Sequence, residues 1–235
     1  MHYKIKFVRF LLESGALIFG DFTLKSGRKS PYMINMGKLD SGDLLSRMGC
    51  FYARAIYEKM ELGVIPWETS LLFGSAYKGI PLAAATSIAM SAAFDLDFGW
   101  AFNRKEEKDH GEGGVFIGRQ PCADDLVLVL DDVMTAGTAF RETVGLFDKY
   151  APGAKIIGSV IAVDRKERGK DTRLSAVAET EYETGIPIFS LIDIDEILDI
   201  LKSGGIEEDH KNEITALPTT EQIAAIEDYL VEYRA

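Results

Sequence analysis

Hydrophobic positions repeat along most of the chain with two periods, one typical of helices and the other of buried strands. Between residues 43 and 60, Leu44, Met48 and Ile56 belong to a three- and four-residue spacing that places them on one helical face. The unbroken apolar run from residue 126 to 130 is typical of a strand that is covered on both faces. Alternation of these patterns predicts an α/β fold with a mainly parallel sheet flanked by helices.

The full prediction contains seven helices, five strands and an N-terminal hairpin. The helices are predicted at residues 3–14, 43–60, 81–93, 138–149, 175–183, 193–202 and 219–233, and the strands at 71–73, 98–103, 126–130, 156–163 and 186–190. Residues 22–35 form two extended pieces around a turn. The polar, glycine-bearing residues 104–114 are predicted as a mobile loop, and 204–218 resembles a linker.

We expect one domain over residues 1–235, with a core at about 45–190 and a small hood made of about 1–40 plus C-terminal elements.

Charge and composition exclude several classes of function. A net charge of -11 and a pI of about 4.8 argue against a nucleic-acid partner or an anionic membrane. Cys50 and Cys122 lie far apart without metal-ligand spacing, which fits a reducing compartment. The charged N-terminus lacks the apolar core of a signal peptide, and the longest apolar stretch, residues 80–90, is too short to span a bilayer. We therefore predict a cytoplasmic protein.

The most informative segment runs from residue 127 to 139, where an apolar strand meets two carboxylates, a small-residue loop and a helix. A helix N-terminus binds phosphate through free N–H groups, and Gly137 lets the backbone come close. Asp131 and Asp132 would repel a phosphate but are good acceptors for sugar hydroxyls. The segment therefore predicts a ribose 5-phosphate site. The alternative is a capped helix start in which Asp and Thr are turn residues, as we expect for Asp124 and its neighbour Asp125.

This segment resembles the signature of type I phosphoribosyltransferases, which bind phosphoribosyl pyrophosphate (PRPP). Residues 22–32, 74–81, 102–114 and 164–169 are similar to further motifs of the orotate phosphoribosyltransferases. The resemblance implies the type I phosphoribosyltransferase fold. It also implies transfer of ribose 5-phosphate from PRPP to orotate, which gives orotidine 5-phosphate and pyrophosphate on the way to UMP.

The resemblance also implies roles for individual residues. The expected PRPP-binding residues are Tyr77, Lys78, Arg104, Lys105, Lys108, His110, Asp131, Asp132, Val133, Met134, Thr135, Ala136, Gly137, Thr138 and Ala139. Within this set, the expected catalytic residues are Lys108, Arg104, His110, Asp131 and Asp132. Taken without the phosphate site, residues 104–110 are better explained as a solvated loop, because their acids nearly cancel their bases.

Orotate carries a carboxylate, and the resemblance assigns Lys25 and Arg165 to it, with Thr135 near the ring. Alternatively, Lys25 is a surface lysine of the hairpin and Arg165 belongs to an ion pair at a strand end. Met33 and Ile34 stand where many family members have two aromatic residues, so the base pocket departs from the family pattern. The family further implies Mg²⁺ held mainly by PRPP and water, with no direct protein ligand, and a homodimer with shared sites.

Two other functions share the PRPP signature. A regulatory protein that senses PRPP would need a nucleic-acid surface, which the net charge disfavours. A purine or uracil phosphoribosyltransferase would bind a neutral base and would not need Lys25 and Arg165. Intact Lys108 and His110 also argue against the regulator, and the Lys25 and Arg165 segments favour orotate over a neutral base.

Overall fold

The computed structural model describes residues 2–24, 27–108, 114–169, 172–206 and 217–235, without the side chains of His2 and residues 105–108. Its helices are α1 (His2–Glu13), α2 (Gly42–Glu61), α3 (Gly79–Phe94), α4 (Thr138–Tyr150), α5 (Ala176–Thr184), α6 (Ile194–Lys202) and α7 (Thr220–Tyr233), with a short 3-10 turn at Met36–Lys38. Its strands are β1 (Leu17–Thr23), β2 (Lys29–Ile34), β3 (Thr69–Gly74), β4 (Gly99–Lys108), β5 (Gly114–Gly118), β6 (Leu126–Val133), β7 (Lys155–Asp164) and β8 (Ile188–Asp193).

A six-stranded sheet in the order β5-β4-β3-β6-β7-β8 forms the centre of the fold. All neighbouring strands are parallel except β4 and β5, which form an antiparallel pair at one edge. The prediction of a mainly parallel sheet flanked by helices is therefore confirmed. Since parallel strands end at the same edge of a sheet, the loops after β3, β6 and β7 meet at one side of the molecule.

The sheet separates two apolar cores. Leu128 and Leu130 pack in the larger core with helices α1, α2, α3 and α6, whereas Val127 and Val129 pack in the smaller core beneath α4. Alternation along β6 produces this division, because successive side chains of a strand point to opposite faces. The predicted strand at 126–130 is thus buried on both sides, as its continuous apolar run indicated.

The hood begins with α1 and continues as the antiparallel hairpin of β1 and β2, which forms a sheet of its own. Tyr32 of β2 is fully buried and packs edge-on against Tyr229 of α7, with ring centroids 6.2 Å apart. Arg28 donates to the carbonyl oxygens of Arg168 and Gly169, each at 2.7 Å. The hairpin is therefore fastened to the segment after β7 and to the C-terminal helix.

At the β4–β5 edge, one sequence prediction is wrong and one strand was missed. Residues 104–108 were expected in a mobile loop, but their backbone continues strand β4, and Lys108 pairs with Gly114. Strand β5 was not predicted at all. The sequence analysis did not recognise this hairpin because residues 104–108 are charged and lack the apolar pattern of a buried strand. A strand near a sheet edge tolerates charges that a central strand excludes. Residues 109–113 and most of the expected linker at 204–218 lie outside the described residues.

Helices α2 and α3 pack closely at Gly49, where a Cβ atom would lie 2.6 Å from the carbonyl oxygen of Ala85. We expect Gly49→Ala to lower the free energy of unfolding by roughly 1–3 kcal/mol, because the helices would have to separate. Urea denaturation measures the change.

Gly145 in α4 is the matched control, since a Cβ there meets nothing within 4 Å. Gly145→Ala should be neutral or stabilise by up to about 1 kcal/mol through helix propensity. Equal stability of the Gly49→Ala variant and the unmodified protein would contradict the packing described for α2 and α3.

Candidate functional site

A cavity of about 230 Å³ opens where strand β6 ends and helix α4 begins. Its lining combines strand ends with the whole connecting loop: Ser75, Asp131, residues 133–140, Ser159 and Ile161. The expected phosphate loop, Thr135 to Ala139, therefore forms one wall, and one of the two expected carboxylates faces it. This position is the carboxyl edge of a parallel sheet, where ligands of open α/β folds bind.

Helix α4 begins without a capping side chain. Gly137 occupies the N-cap position with φ +67°, and among the described residues no side-chain hydrogen bond caps the helix. The free N–H groups and the positive end of the helix dipole therefore face the cavity, an arrangement that suits an anion. Thr135 and Thr138 are exposed at its rim. The side-chain cap that the alternative interpretation requires is therefore not found at this helix start in the described part of the chain.

Two side chains that the sequence analysis missed hold this loop in place. Arg141 donates to the carbonyl oxygen of Ala136 and to the carboxylate of Glu183 on α5, both at 2.5 Å. Thr180 of α5 packs so closely that a Cβ on Gly137 would lie 2.1 Å from its hydroxyl oxygen. Glycine is thus required at 137 for both its backbone conformation and its contact with α5. Only the tertiary packing of α5 reveals these roles.

The two adjacent carboxylates face different surroundings. Asp132 is buried and accepts a hydrogen bond from Lys78 Nζ at 2.5 Å. Asp131 lines the cavity, and the backbone N–H of Asp132 donates to its carboxylate at 2.9 Å. Burial, and then the nearby charge of Asp132, raise the pKa of Asp131 to about 7. Asp131 is therefore the carboxylate that is available to a ligand in the cavity.

The other acidic pair, Asp124 and Asp125, has a structural role, as the sequence analysis expected. Asp125 is buried and accepts hydrogen bonds from the Arg119 guanidinium at 2.5 Å, the Ser70 hydroxyl at 2.7 Å and the Cys122 N–H at 2.6 Å. Burial alone would raise the pKa of Asp125, but these donors lower it. Asp124 is an exposed turn residue with φ +71°.

The segment after β3 carries Tyr77 and Lys78 to the same edge of the sheet. Gly79 makes this approach possible, because a Cβ there would lie 2.2 Å from the carbonyl oxygen of Leu130. Tyr77 is exposed, and Lys78 reaches Asp132 across the end of β6. Both residues therefore border the region of the carboxylates, where we expected them.

The cations expected on the β4–β5 hairpin are only partly described. Arg104 is half-buried on β4, and its Nε atom is buried without a hydrogen-bond partner among the described residues. The backbone of Lys105 and Lys108 belongs to β4, but their side chains lie outside the description, and His110 lies outside the described residues.

Arg165 follows β7 and lies in a polar cluster beneath the hairpin. Its guanidinium contacts Glu167 at 2.6 Å and donates to the hydroxyl oxygens of Tyr32 at 3.2 Å and Ser30 at 3.3 Å. It also stacks over the Tyr32 ring, 4.6 Å from the centroid. The ion-pair alternative for Arg165 is therefore present in the structure, and it fixes the guanidinium at the edge of the sheet that carries the cavity.

The remaining residues expected to contact the base come from the hood. Met33 and Ile34 are half-buried on β2, next to the buried Tyr32. Lys25 lies outside the described residues. The sequence analysis named Arg165 but missed its partners Tyr32 and Glu167, which lie far from one another along the chain.

Comparison with known proteins decides the family. The chain is 45% identical over 234 residues to the orotate phosphoribosyltransferase of Bifidobacterium adolescentis, covering 98% of this chain and 97% of that protein. It is 48% identical over 199 residues to the Pseudomonas aeruginosa enzyme of the same name, covering 85% of this chain and 88% of that protein. The chain belongs to the orotate phosphoribosyltransferase family.

A solved structure of a Francisella tularensis orotate phosphoribosyltransferase superposes with a TM-score of 0.80 at 34% identity, covering 98% of this chain and all of that one. The predicted fold, that of the type I phosphoribosyltransferases, is confirmed by this match. No protein-family model matches the chain. Among the described residues of this family member, no helix is long and apolar enough to cross a membrane.

The raised pKa of Asp131 predicts an unusual pH dependence of stability. The folded state binds the proton of the Asp131 carboxyl group more tightly than the unfolded chain does. The stabilisation from this protonated carboxyl group is therefore present at low pH and is lost as the pH rises through about 7. We expect Asp131→Asn to raise the free energy of unfolding by roughly 1–3 kcal/mol at pH 8, with a smaller gain at pH 5. Urea denaturation at the two pH values measures both gains.

The exposed Asp124 is the matched control, because asparagine tolerates its left-handed backbone conformation. Asp124→Asn should leave the pH profile unchanged. A pH-independent effect of Asp131→Asn, or a loss of stability at pH 8, would show that the Asp131 carboxylate is not held in the environment described.

Proposed function

We propose that this protein is an orotate phosphoribosyltransferase that forms orotidine 5-phosphate and pyrophosphate from orotate and PRPP, a step towards UMP. The observation that carries the proposal is a single cavity in which an uncapped helix N-terminus and the carboxylate of Asp131 face the same space. A sugar phosphate is the ligand that needs both, since its phosphate requires donors and its hydroxyls require acceptors. Membership of the family supports the same reaction.

The 5-phosphate is proposed to bind the N–H groups and hydroxyls of the loop from Thr135 to Ala139, with Val133 and Met134 lining the approach. Asp131 is proposed to accept from a ribose hydroxyl, and Asp132 to lie beside the ribose while its charge is balanced by Lys78. This arrangement keeps one carboxylate paired, so that the site does not present two unbalanced negative charges to an anionic substrate.

At the anomeric carbon, the bond to pyrophosphate is proposed to break ahead of the bond that forms to the base nitrogen, whose proton is lost. Positive charge then develops on the sugar ring and negative charge on the leaving pyrophosphate. Tyr77, Lys78, Arg104, Lys105, Lys108 and His110 are the residues proposed to bind that leaving group, with Lys108 as its principal cation. Each donor directed at developing charge is worth about 3–4 kcal/mol of barrier.

Mg²⁺ is the proposed cofactor, held mainly by PRPP and water. The residues present fit this arrangement, because Mg²⁺ usually keeps several waters and binds one or two carboxylates together with substrate phosphates. At the cavity, Asp131 offers one carboxylate, while the neighbouring Asp132 is paired with Lys78. When bound, Mg²⁺ would neutralise charge on the pyrophosphate.

Orotate is proposed to bind between the phosphate cavity and the hairpin, with its carboxylate near Arg165 and Lys25. The ion pair with Glu167 and the stacking on Tyr32 hold the Arg165 guanidinium in one orientation, which suits recognition of a planar carboxylate. Met33 and Ile34 are proposed to provide apolar contact for the ring, with Thr135 nearby. A purine or uracil carries no carboxylate and would therefore form no charge-assisted hydrogen bond with Arg165 or Lys25.

The proposed compartment is the cytoplasm. Cys50 and Cys122 are both free and exposed, which is in keeping with reducing surroundings.

A panel of bases tests the reaction. With PRPP and Mg²⁺, we expect orotate to be consumed with release of one pyrophosphate per orotate, and uracil, adenine and hypoxanthine to react at least 100-fold more slowly. Loss of orotate absorbance and a coupled pyrophosphate assay provide the measurement. Lys108→Ala, prepared identically, controls for contaminating host enzyme. Faster turnover of any neutral base would refute the assignment of orotate.

The homodimer is proposed to form through the outer face of α3. Pro81, Ala84, Ile88 and Ala92 recur along this helix at helical spacing, and Ile88 is 71% exposed. Trp100 of β4, 37% exposed, borders the same face together with Phe98 and Gly99. Such an apolar stripe is characteristic of a protein interface. The face adjoins β4, so a partner there would lie close to the hairpin that carries Lys108.

We expect Ile88→Asp to convert the dimer to monomer at micromolar concentration, because a buried unpaired carboxylate would oppose association. Sedimentation velocity measures the change. Val231 on α7 is the matched control, being 89% exposed on another face, and Val231→Asp should remain dimeric. A dimer unaffected by Ile88→Asp would place the interface elsewhere.

A further inference from the structure

Ser75 follows directly after strand β3 and is one of the residues that line the cavity at the start of α4. The residue is only 2% exposed, and its hydroxyl is buried without a hydrogen-bond partner among the described residues. A buried hydroxyl in this state has given up its hydrogen bonds to water without replacement, which is unfavourable. Such a group is expected where a bound ligand supplies the missing partner.

The direction of the Ser75 side chain follows from its place in the sheet. Its backbone N–H donates to the carbonyl oxygen of Leu130 at 3.1 Å, so it continues the pairing of β3 with β6. Leu71 and Phe73 of β3 point into the core beneath α4. Alternation places Ser75 on that same face, which is also the face of Asp131. The side chain is therefore directed to the side of the sheet that carries the cavity and the Asp131 carboxylate.

We propose that Ser75 is a further substrate-binding residue, whose hydroxyl donates a hydrogen bond to a phosphate oxygen of the sugar phosphate in this cavity. The proposal rests on the proposed function, since it takes the ligand to be the ribose 5-phosphate portion of PRPP. A phosphate oxygen accepts only, so each one requires a donor from the protein or from water. The loop and the N-terminus of α4 supply donors from one side, and Ser75 adds one from the neighbouring strand.

The substitution Ser75→Ala tests this role through two opposite effects. Without ligand, the variant should be as stable as the unmodified protein or more stable, because an unsatisfied buried hydroxyl is removed. With ligand, the dissociation constant for PRPP should rise about 10- to 100-fold, as expected for a lost hydrogen bond to a charged group. The KM for orotate at saturating PRPP should change less than twofold. Isothermal titration calorimetry and thermal unfolding with and without PRPP provide the measurements.

Thr86 provides a matched control within the same protein. It is fully buried in α3, its hydroxyl also lacks a partner among the described residues, and it does not line the cavity. Thr86→Val should leave PRPP affinity unchanged. Inorganic phosphate, used alone as a second probe, should bind more weakly to Ser75→Ala and equally well to Thr86→Val.

Three results would overturn the assignment of Ser75. They are a PRPP dissociation constant within twofold of the unmodified value, equal weakening in Thr86→Val, or a lower melting temperature of the ligand-free Ser75→Ala variant, which would indicate a structural role. Failure of the proposed function is distinguishable, because the unmodified protein would then neither bind PRPP nor consume orotate. An active unmodified protein with an unaltered Ser75→Ala variant would refute the Ser75 proposal alone.

Discussion

The alternation of side chains along strand β6 is the constraint on which the candidate site depends. Because Leu128 and Leu130 must enter one core and Val127 and Val129 the other, the two carboxylates that follow are forced to opposite faces. Asp132 is directed to the side of α3, where Lys78 neutralises it, and Asp131 to the side of α4, where it lines the cavity. A shift of one residue would exchange these roles and would also bury the wrong apolar side chains.

Three polar features around the cavity are energetically unfavourable when no ligand is bound. An uncapped helix start, a buried hydroxyl with no partner among the described residues and a carboxylate whose pKa is raised to about 7 lie around one small cavity. Each feature lowers the stability of the free protein, and each would be relieved by a sugar phosphate that offers oxygens to the donors and hydroxyls to the acceptor. Residues of functional sites commonly lower the stability of the folded protein in this way.

How well the sequence predicted each feature depended on whether the determining contacts were local. The strand, loop and helix around Asp131 and Gly137 were predicted correctly because they form one contiguous segment with strong signals. The β4–β5 hairpin was missed because its charged residues lie at an edge, where burial does not select for apolar side chains. The partners of Arg165 and the support of Gly137 by Thr180 could not be predicted, since they depend on how distant segments pack. The proposed roles of Lys25 and His110 come from the family resemblance, and both residues lie outside the described part of the chain.

The phosphate loop and the pocket proposed for the base differ in how far apart their residues lie along the chain. This difference has a consequence for the rate of folding. The phosphate loop and Arg141 come from one short stretch, whereas Tyr32 and Glu167 are separated by 135 residues, and Arg28 and Gly169 by 141. Closing so long a loop carries an entropic cost that short-range contacts avoid. During folding, the anion-binding turn is therefore expected to assemble early, and the pocket for the base only after the hairpin has docked onto the finished sheet.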